Sequence, residues 1–102
     1  MLGNNKNKYR IEYLSRVLDE DISRLDKKVK RILEKKIETL IETPLLGLPL
    51  RGDLAGCYKL KISKYRIIYK IYNERLVILI ITIGKRDNLI VYKIAEKRMK
   101  LL

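Results

Sequence analysis

The sequence predicts an α+β fold, in which a small antiparallel sheet of about four strands packs against an N-terminal helical hairpin and is followed by a C-terminal helix. Three observations lead to this prediction. Apolar residues recur at helical spacing between residues 15 and 43, alternate with polar ones between 57 and 62, and fill almost all of 76–83. Helical and strand patterns that occupy separate halves of one chain are typical of α+β proteins.

The N-terminal half predicts one strand and then two helices. Tyr9, Ile11 and Tyr13 alternate with charged residues, which is typical of a half-buried strand. Ser15 is predicted to cap a first helix and Asp26 a second, longer one, since both residue types favour the N-cap position. An apolar stripe at helical spacing runs through both predicted helices: Leu18, Ile22, Leu25, Val29, Ile32, Leu33, Ile37, Leu40 and Ile41.

A proline separates the helical half from the strand-rich half. The second helix must end before Pro44, because the residue before a proline disfavours helical backbone angles. Residues 45–52 contain a further proline and two glycines, so they are predicted to form a connecting loop.

The C-terminal half predicts a three-stranded antiparallel meander. Its first strand alternates apolar residues with lysines, and turns at 63–64 and 73–75 separate the next two strands. Segment 76–83 is apolar except for Thr82, so this strand should be buried on both faces, with helices covering at least one of them. From about residue 89 the spacing of apolar residues predicts a final helix with Ile90, Ile94, Met99 and Leu101 along its apolar side.

Length and composition indicate one small domain, spanning residues 9–102 after a polar tail at 1–8. A chain of 102 residues can bury a modest core without disulfides. Cys57 is the only cysteine, so no internal disulfide can form. The N-terminal residues lack the apolar core of a signal peptide, and the longest apolar run is too short to span a bilayer. We therefore expect a cytoplasmic protein that does not insert into membranes.

The charge is large and unevenly distributed. The net charge is +12, and residues 51–102 contain 13 basic against 4 acidic side chains. Such an excess attracts phosphates, anionic lipids or acidic proteins, although a basic surface can also serve solubility alone. We favour a polyanionic partner. The chain has no histidine, so any chemistry must use Lys, Arg, Tyr or carboxylates.

Basic residues lie at strand spacing in the most charged part of the chain. Lys59 and Lys61 are two residues apart, so both side chains should leave the same face of the sheet. If Arg66 and Arg86 converge on that face, the surface suits a phosphate backbone. The plainer alternatives are a solvated strand face for the lysines, an ion pair of Arg66 with Glu74 or Asp87, a turn role for Arg86 and a core role for Tyr92. Packing is the expected role of Cys57, Tyr58, Tyr65 and Tyr69.

Together these segments resemble the RelE branch of the RelE/ParE toxin superfamily over nearly the whole chain. The resemblance rests on the order and spacing of 57–61 (CYKLK), 65–69 (YRIIY), 84–87 (GKRD) and 91–92 (VY), preceded by 50–54 (LRGDL) and a helical segment ending at 42–44 (ETP). It implies a small sheet packed on a helical hairpin. It also implies a toxin of a type II toxin–antitoxin system that cleaves messenger RNA in the ribosomal A site.

The resemblance also implies roles for individual residues. Lys59 and Lys61 would hold the phosphate, Arg66 would stabilise the transition-state charge, and Arg86 would act as general acid or charge stabiliser. Tyr92 would stack on a base or accept a proton, and the second role requires nearby cations because a free phenol keeps its proton at neutral pH. Arg51, Lys64 and Lys85 would contact ribosomal or messenger RNA.

Cleavage of this kind is suited to a cluster of cations. The attacking 2′-hydroxyl belongs to the RNA, so the enzyme has to align it, move protons and neutralise the phosphorane charge. We therefore expect an endoribonuclease that needs no metal and no small-molecule cofactor. Its expected partners are the ribosome, messenger RNA and an acidic RelB-like antitoxin.

Two alternatives stay open at this point. One is a ParE-like toxin of the same fold, which inhibits DNA gyrase and has no ribonuclease activity. The other is a non-catalytic basic domain that binds RNA or the ribosome.

Overall fold

A computed structural model describes residues 8–86 and 89–102. Within these residues the strands are β1 (Arg10–Tyr13), β2 (Leu48–Pro49), β3 (Cys57–Ile62), β4 (Tyr65–Tyr72) and β5 (Val77–Lys85), and the α-helices are α1 (Lys27–Glu38) and α2 (Ile90–Lys100). These strands form one sheet in the order β1-β5-β4-β3-β2. The α+β prediction is confirmed. The expected tail at 1–8 lies outside the described residues except for Lys8.

The predicted meander is present, and two edge strands extend it. β3, β4 and β5 pair antiparallel in sequence order. β1 pairs with β5 in parallel, and the two-residue β2 pairs with β3, so the sheet has five strands rather than about four. The sequence could not predict β2, because two residues are too few to show alternation and one of them is Pro49, which is tolerated only at a sheet edge.

The first predicted helix consists of short helical turns. A π-helical turn at Val17–Asp21 continues into a 3₁₀ turn at Ile22–Arg24. Ser15 is not the N-cap, because it is already part of the helical backbone and the Leu14 carbonyl accepts the first bond, from the Val17 amide at 2.9 Å. Leu18 of the predicted stripe is exposed. Asp26 does cap α1, since its carboxylate accepts a hydrogen bond from the Val29 amide at 2.9 Å.

Two apolar clusters lie on opposite faces of the sheet. On one face, Leu33, Ile37 and Leu40 pack against strand residues that include Ile67 and Ile80. On the other face, α2 contributes Val91 and Ala95, which pack with Cys57, Ile68 and Ile81. β5 is thus covered on both faces, as its apolar sequence predicts.

The side that α2 buries agrees only in part with the one predicted. Its buried residues are Val91, Ala95 and Arg98, and Met99 of the predicted side packs against the same cluster, whereas Ile90 and Leu101 are exposed. In the described part of the chain, no helix is long and apolar enough to cross a membrane.

Candidate active site

The strand register gathers three of the predicted cations beside α2. Lys61 of β3 lies opposite Arg66 of β4, and Arg66 lies opposite Gly84 of β5. Lys59 is two residues from Lys61, so its side chain leaves the same face of the sheet. This is the face that α2 covers, because Cys57, also on that side of β3, packs in the cluster with Val91. The three cations therefore share one face next to the helix.

Tyr92 connects this cluster to α2. The guanidinium carbon of Arg66 lies 5.3 Å from the centroid of the Tyr92 ring. At this distance a cation is attracted to the electron-rich face of an aromatic ring. Tyr92 is in the first turn of α2 and is half-buried. The position of the helix therefore determines whether the ring contacts Arg66.

Gly84 allows α2 to approach the sheet at this point. A Cβ atom at residue 84 would lie 3.1 Å from Cγ2 and 3.3 Å from Cβ of Val91. Such contacts are tighter than ordinary van der Waals packing, so any larger residue would press against the helix. The close packing of Val91, the residue before Tyr92, therefore explains why residue 84 is a glycine.

Arg66 is a buried residue whose charge has no carboxylate partner among the described residues. It is only 9% exposed, and its buried Nε atom finds no hydrogen-bond acceptor in the same part of the chain. Among residues 8–86 and 89–102 no carboxylate is within ion-pair distance of it, so the possible pair with Glu74 is absent. Asp87, the other possible partner, lies outside the described residues. The residue directly opposite, Lys61, carries the same charge, and like charges in this position are destabilising.

Arg86 lies just after β5 beside the turn that joins β3 to β4. Its backbone amide donates a hydrogen bond to the Lys64 carbonyl at 2.8 Å, and its Nη1 donates a longer one of 3.4 Å to the Ser63 carbonyl. Ser63, Lys64, Lys85 and Arg86 line an open cleft of about 530 Å³. This turn follows Lys61 and precedes Arg66 in the sequence, so the cleft lies at the end of the sheet where these two residues pair.

Arg51 lies away from this cleft. It is exposed and precedes the 3₁₀ turn Gly52–Leu54, near the end of β3 where the Leu50 amide donates to the Cys57 carbonyl. Lys61 is at the opposite end of β3. The fold therefore brings Lys64 and Lys85 next to Arg86 but leaves Arg51 at another edge.

The residues assigned to packing are part of the core. Tyr69 is fully buried and stacks on Tyr58, with ring centroids 5.5 Å apart. Its hydroxyl donates to the Pro44 carbonyl at 2.7 Å and accepts from the Gly47 amide at 2.9 Å. Tyr65 packs against the same cluster. Cys57 is fully buried, and burial raises the pKa of its thiol, so the side chain stays protonated at neutral pH.

Sequence reasoning missed a buried ion pair between Arg98 and Asp21. Arg98 is 5% exposed, and its Nη1 donates to Asp21 Oδ2 at 2.8 Å. Burial by itself lowers the pKa of Arg98, but the hydrogen bonds and charges of Asp21 and Glu20 outweigh it and raise the pKa above its usual value. The spacing of Arg98 from Val91 and Ala95 was a signal that it lies on the buried side of α2. No local pattern indicated its partner.

The fold is that of a toxin of a type II toxin–antitoxin system. The family model described as the ParE toxin of the type II toxin–antitoxin system parDE matches residues 8–97. The chain therefore belongs to this family, and the resemblance to the RelE/ParE superfamily is confirmed.

Proteins similar to this chain include RelE toxins. The chain is 32% identical to the mRNA interferase toxin RelE of Escherichia coli strain K12 over 93 residues, which cover 89% of this chain and 97% of that protein. The free form of an E. coli RelE variant with two arginines replaced by alanine superposes with a TM-score of 0.75, at 32% identity over 90% of this chain and 98% of that one. The toxin–antitoxin complex RelBE2 of Mycobacterium tuberculosis matches with a TM-score of 0.69, at 26% identity over 78% of this chain and 99% of that one.

Proposed function

We propose that this toxin is a ribosome-dependent endoribonuclease that cleaves messenger RNA in the ribosomal A site and so inhibits translation. The observation that carries the proposal is Arg66, a buried guanidinium with no carboxylate partner among the described residues, set opposite Lys61 and against the Tyr92 ring. Proteins rarely bury a charge without a partner of opposite charge, so this arrangement favours a bound anion as the partner of Arg66. The RelE relatives, named mRNA interferases, indicate which anion: an RNA phosphate.

The proposed reaction uses a nucleophile within the RNA. The 2′-hydroxyl oxygen attacks the adjacent phosphorus and forms a new P–O bond, while the bond from phosphorus to the 5′-oxygen of the next nucleotide breaks. The products are a 2′,3′-cyclic phosphate and a 5′-hydroxyl. One proton leaves the 2′-oxygen and one reaches the 5′-oxygen, so the enzyme must accept one and supply the other.

The cations divide these tasks by position. Arg66, with Lys61 opposite, stabilises the negative charge that develops on the phosphorane, because fixed cations need no rearrangement at the moment of reaction. Lys59, on the same face, holds the phosphate and supports proton transfer. Tyr92 stacks on a base beside the scissile bond, and its phenolic oxygen, in the deprotonated form, is the candidate acceptor of the 2′-hydroxyl proton. Arg86 stabilises or protonates the leaving oxygen from the edge of the cleft.

Metal independence is part of the proposal. A divalent ion in a ribonuclease neutralises phosphate charge and activates an oxygen. Here side-chain cations neutralise the phosphate charge. A metal is not needed to activate an oxygen, because the attacking 2′-hydroxyl belongs to the substrate and is held next to the phosphorus. A phosphorothioate at the scissile position tests this: a thiophilic metal such as Mn²⁺ should give no rescue of the slowed reaction.

The open cleft provides the RNA contacts around the site. Lys64 and Lys85 line it with Arg86, and their exposure makes them suited to backbone phosphates rather than to chemistry. Arg51, at another edge, is proposed to contact ribosomal RNA. Each phosphate contact contributes about 0.7 to the slope of log affinity against log salt concentration for single-stranded RNA.

A salt titration measures these contacts directly. Lys85→Gln should weaken ribosome binding and reduce the salt slope by about 0.7, because one counterion fewer is released. Lys97→Gln, an exposed lysine on α2, is the matched control and should leave the slope unchanged. Equal slopes for the wild type and Lys85→Gln would show that Lys85 does not contact an RNA phosphate.

The proposed protein partner is an acidic RelB-like antitoxin. The net charge of +12 favours an acidic partner, and the solved relatives include RelB complexes. The antitoxin either covers the cleft or displaces α2, which carries Tyr92. Hydrogen exchange of 89–102 with and without the antitoxin separates the two, since protection stays high or rises if the cleft is covered and falls if the helix is displaced.

The deciding experiment is translation in vitro with the RNA mapped by primer extension. We expect cuts in messenger RNA only when ribosomes are present. A 2′-O-methyl group on the nucleotide before the cut should abolish cleavage, because the nucleophile is blocked. Cleavage that persists on the methylated RNA would contradict the 2′-hydroxyl mechanism, and ribosome binding without any cleavage would leave only a non-catalytic RNA-binding role.

Gyrase inhibition is the second candidate, since the matching family model is described by the ParE toxin. Its discriminating assay is supercoiling by purified DNA gyrase. Inhibited supercoiling or accumulated DNA breaks, together with intact messenger RNA, would establish this function in place of the ribonuclease.

A further inference from the structure

The ion pair of Asp21 and Arg98 joins three parts of the fold that the proposed reaction depends on. The Asp21 carboxylate accepts two hydrogen bonds from Arg98, at 2.8 and 3.1 Å, and a third from the Ile83 backbone amide at 2.9 Å. Arg98 Nη1 also donates to the Ile81 carbonyl at 2.9 Å. Through these bonds α2, strand β5 and the turn at 17–21 are held together.

The pair occupies a place where the sheet has no strand. β1 pairs with β5 only as far as Ile80, which leaves residues 81–83 of β5 beyond the end of β1. The Ile81 carbonyl and the Ile83 amide bond instead to Arg98 and Asp21. Buried backbone groups need such partners, so the ion pair completes the edge of β5 with side chains.

The local structure makes this pair the main polar attachment of α2. The N-cap of the helix is Leu89, which provides no side-chain hydrogen bond. Arg98 is six residues after Tyr92, about 9 Å along the helix axis at the usual rise per residue. Because a helix of this length moves as a rigid body, an attachment at Arg98 also limits the movement of the Tyr92 ring. Among the described residues, the other contacts of α2 with the sheet include the apolar packing of Val91 and Ala95 and the Tyr92 ring against Arg66.

We propose that Asp21 and Arg98 are positioning residues that hold Tyr92 against Arg66 in the geometry that cleavage requires. Neither residue touches the reacting RNA, and both act through α2. This proposal rests on the proposed ribonuclease function for its kinetic consequence, whereas its structural part, the anchoring of α2, can be tested without any cleavage assay.

The chain offers closely matched variants. Arg98→Lys keeps the charge but loses the two-pronged bond to Asp21, and Asp21→Asn keeps the shape but loses the charge. Arg16→Lys is the control for the first, because Arg16 also contacts Glu20, at 3.9 Å, but is exposed. Asp19→Asn, at an exposed carboxylate on the same turn, is the control for the second.

Hydrogen exchange of the amides of α2 tests the anchoring. Arg98→Lys and Asp21→Asn should speed exchange across residues 92–100 on the order of 100-fold, because removing one partner of a buried pair leaves the other uncompensated. Exchange in α1 should change far less, and both controls should stay within about twofold of the wild type. Unchanged exchange of α2 in both variants would overturn the proposal.

A kinetic cycle with Tyr92→Ala separates positioning from general stability. At saturating ribosome concentration, Arg98→Lys should lower kcat by about 10- to 100-fold in the wild type but by less than about threefold in the Tyr92→Ala background, since the ring being positioned is already gone. An equal loss in both backgrounds would mean that the pair only maintains folded protein, and would refute the positioning role. If the wild type does not cleave at all, the proposed function fails, while the exchange result still decides whether the pair anchors α2.

Discussion

Two arginines are buried between α2 and the sheet, and their surroundings differ in almost every respect. Arg98 is 5% exposed and has two carboxylates and a backbone carbonyl as partners. Arg66 is 9% exposed, has no hydrogen-bond partner for its Nε within residues 8–86 and 89–102, and lies opposite Lys61. The first arrangement satisfies a buried charge, whereas the second leaves the charge to be satisfied by something else.

The difference supports the proposal that the Arg98 end of α2 is structural and the Tyr92 end is functional. A buried charge without a partner lowers stability, and such local conflicts tend to occur where a ligand supplies the missing interaction. Near Arg98 the protein is complete without a ligand. Near Arg66, the Tyr92 ring lies against the guanidinium and Lys61 is directly opposite, which is where the proposed anion would bind. The following predictions test this contrast.

Arg66→Met should give the largest effect on activity. We expect the rate of messenger RNA cleavage to fall on the order of 10³-fold, because the cation nearest the developing charge is lost. The free energy of unfolding should stay constant or rise slightly, because an unpaired buried charge is removed. Single-turnover cleavage and urea denaturation measure the two quantities.

The control for Arg66 is Arg75→Met. Arg75 also lies over a tyrosine, with its guanidinium carbon 4.5 Å from the centroid of the Tyr72 ring, but it is exposed and away from the cleft. Cleavage should be nearly unchanged in this variant. A comparable loss of rate in both variants would mean that the contrast between the two buried arginines has no catalytic meaning.

Exchange of the two charges in the Asp21–Arg98 pair should not restore stability. In Asp21→Arg/Arg98→Asp the new arginine would face the Ile83 amide, and the new aspartate would face the Ile81 carbonyl. A donor would then face a donor at Ile83, and an acceptor would face an acceptor at Ile81. The free energy of unfolding of the double variant should therefore stay about 3 kcal/mol or more below that of the wild type. Urea denaturation measures the loss, and full recovery of stability would show that only the charges of the pair matter.

Gly84→Ala tests the close packing beneath Tyr92. The added methyl group would press on Val91, so we expect a loss of about 1–2 kcal/mol in the free energy of unfolding and a decrease of roughly tenfold in cleavage rate as the start of α2 shifts. Val91→Ala in the same chain removes the closest carbon and should recover part of the activity. Failure of the second substitution to improve activity would argue that Gly84 acts in another way.

Tyr13 packs on the face of the sheet opposite α2, so its titration should change the free energy of unfolding at high pH but not the cleavage rate. Burial, with the charges of Glu34 and Glu38, raises the pKa of Tyr13 to about 12. A raised pKa stabilises the protonated folded form below pH ~10, and this contribution is lost as the pH rises through about 12. Tyr13→Phe should therefore reduce the fall in unfolding free energy between pH 10 and 12 by about 1–2 kcal/mol, as measured by urea denaturation.

Much of the fold could be predicted from local pattern. Alternation in 57–62 and the apolar run at 76–83 predicted strands that are present, and Asp26 begins a helix as its residue type suggests. The short β2, the parallel pairing of β1 and part of the buried side of α2 were not predicted. These features depend on which elements become neighbours, and residue spacing within one element carries no information about that.

The candidate site divides in the same way. The two-residue spacing of Lys59 and Lys61 determined that they share a face, and the family resemblance led to Arg66, Arg86 and Tyr92. Their roles in cleavage remain predictions. Only the tertiary structure shows that Arg66 has no carboxylate partner in the described part of the chain.

The sequence by itself determined the helices and strands that follow periodic burial, the strong positive charge of the second half and the family. The tertiary structure decided how each charge is satisfied. Asp21 and Arg98 are 77 residues apart in the chain and bond because β5 and α2 bring them together. The physical reason is that periodicity is a property of one segment, whereas the energy of a buried charge depends on every group that folding places around it.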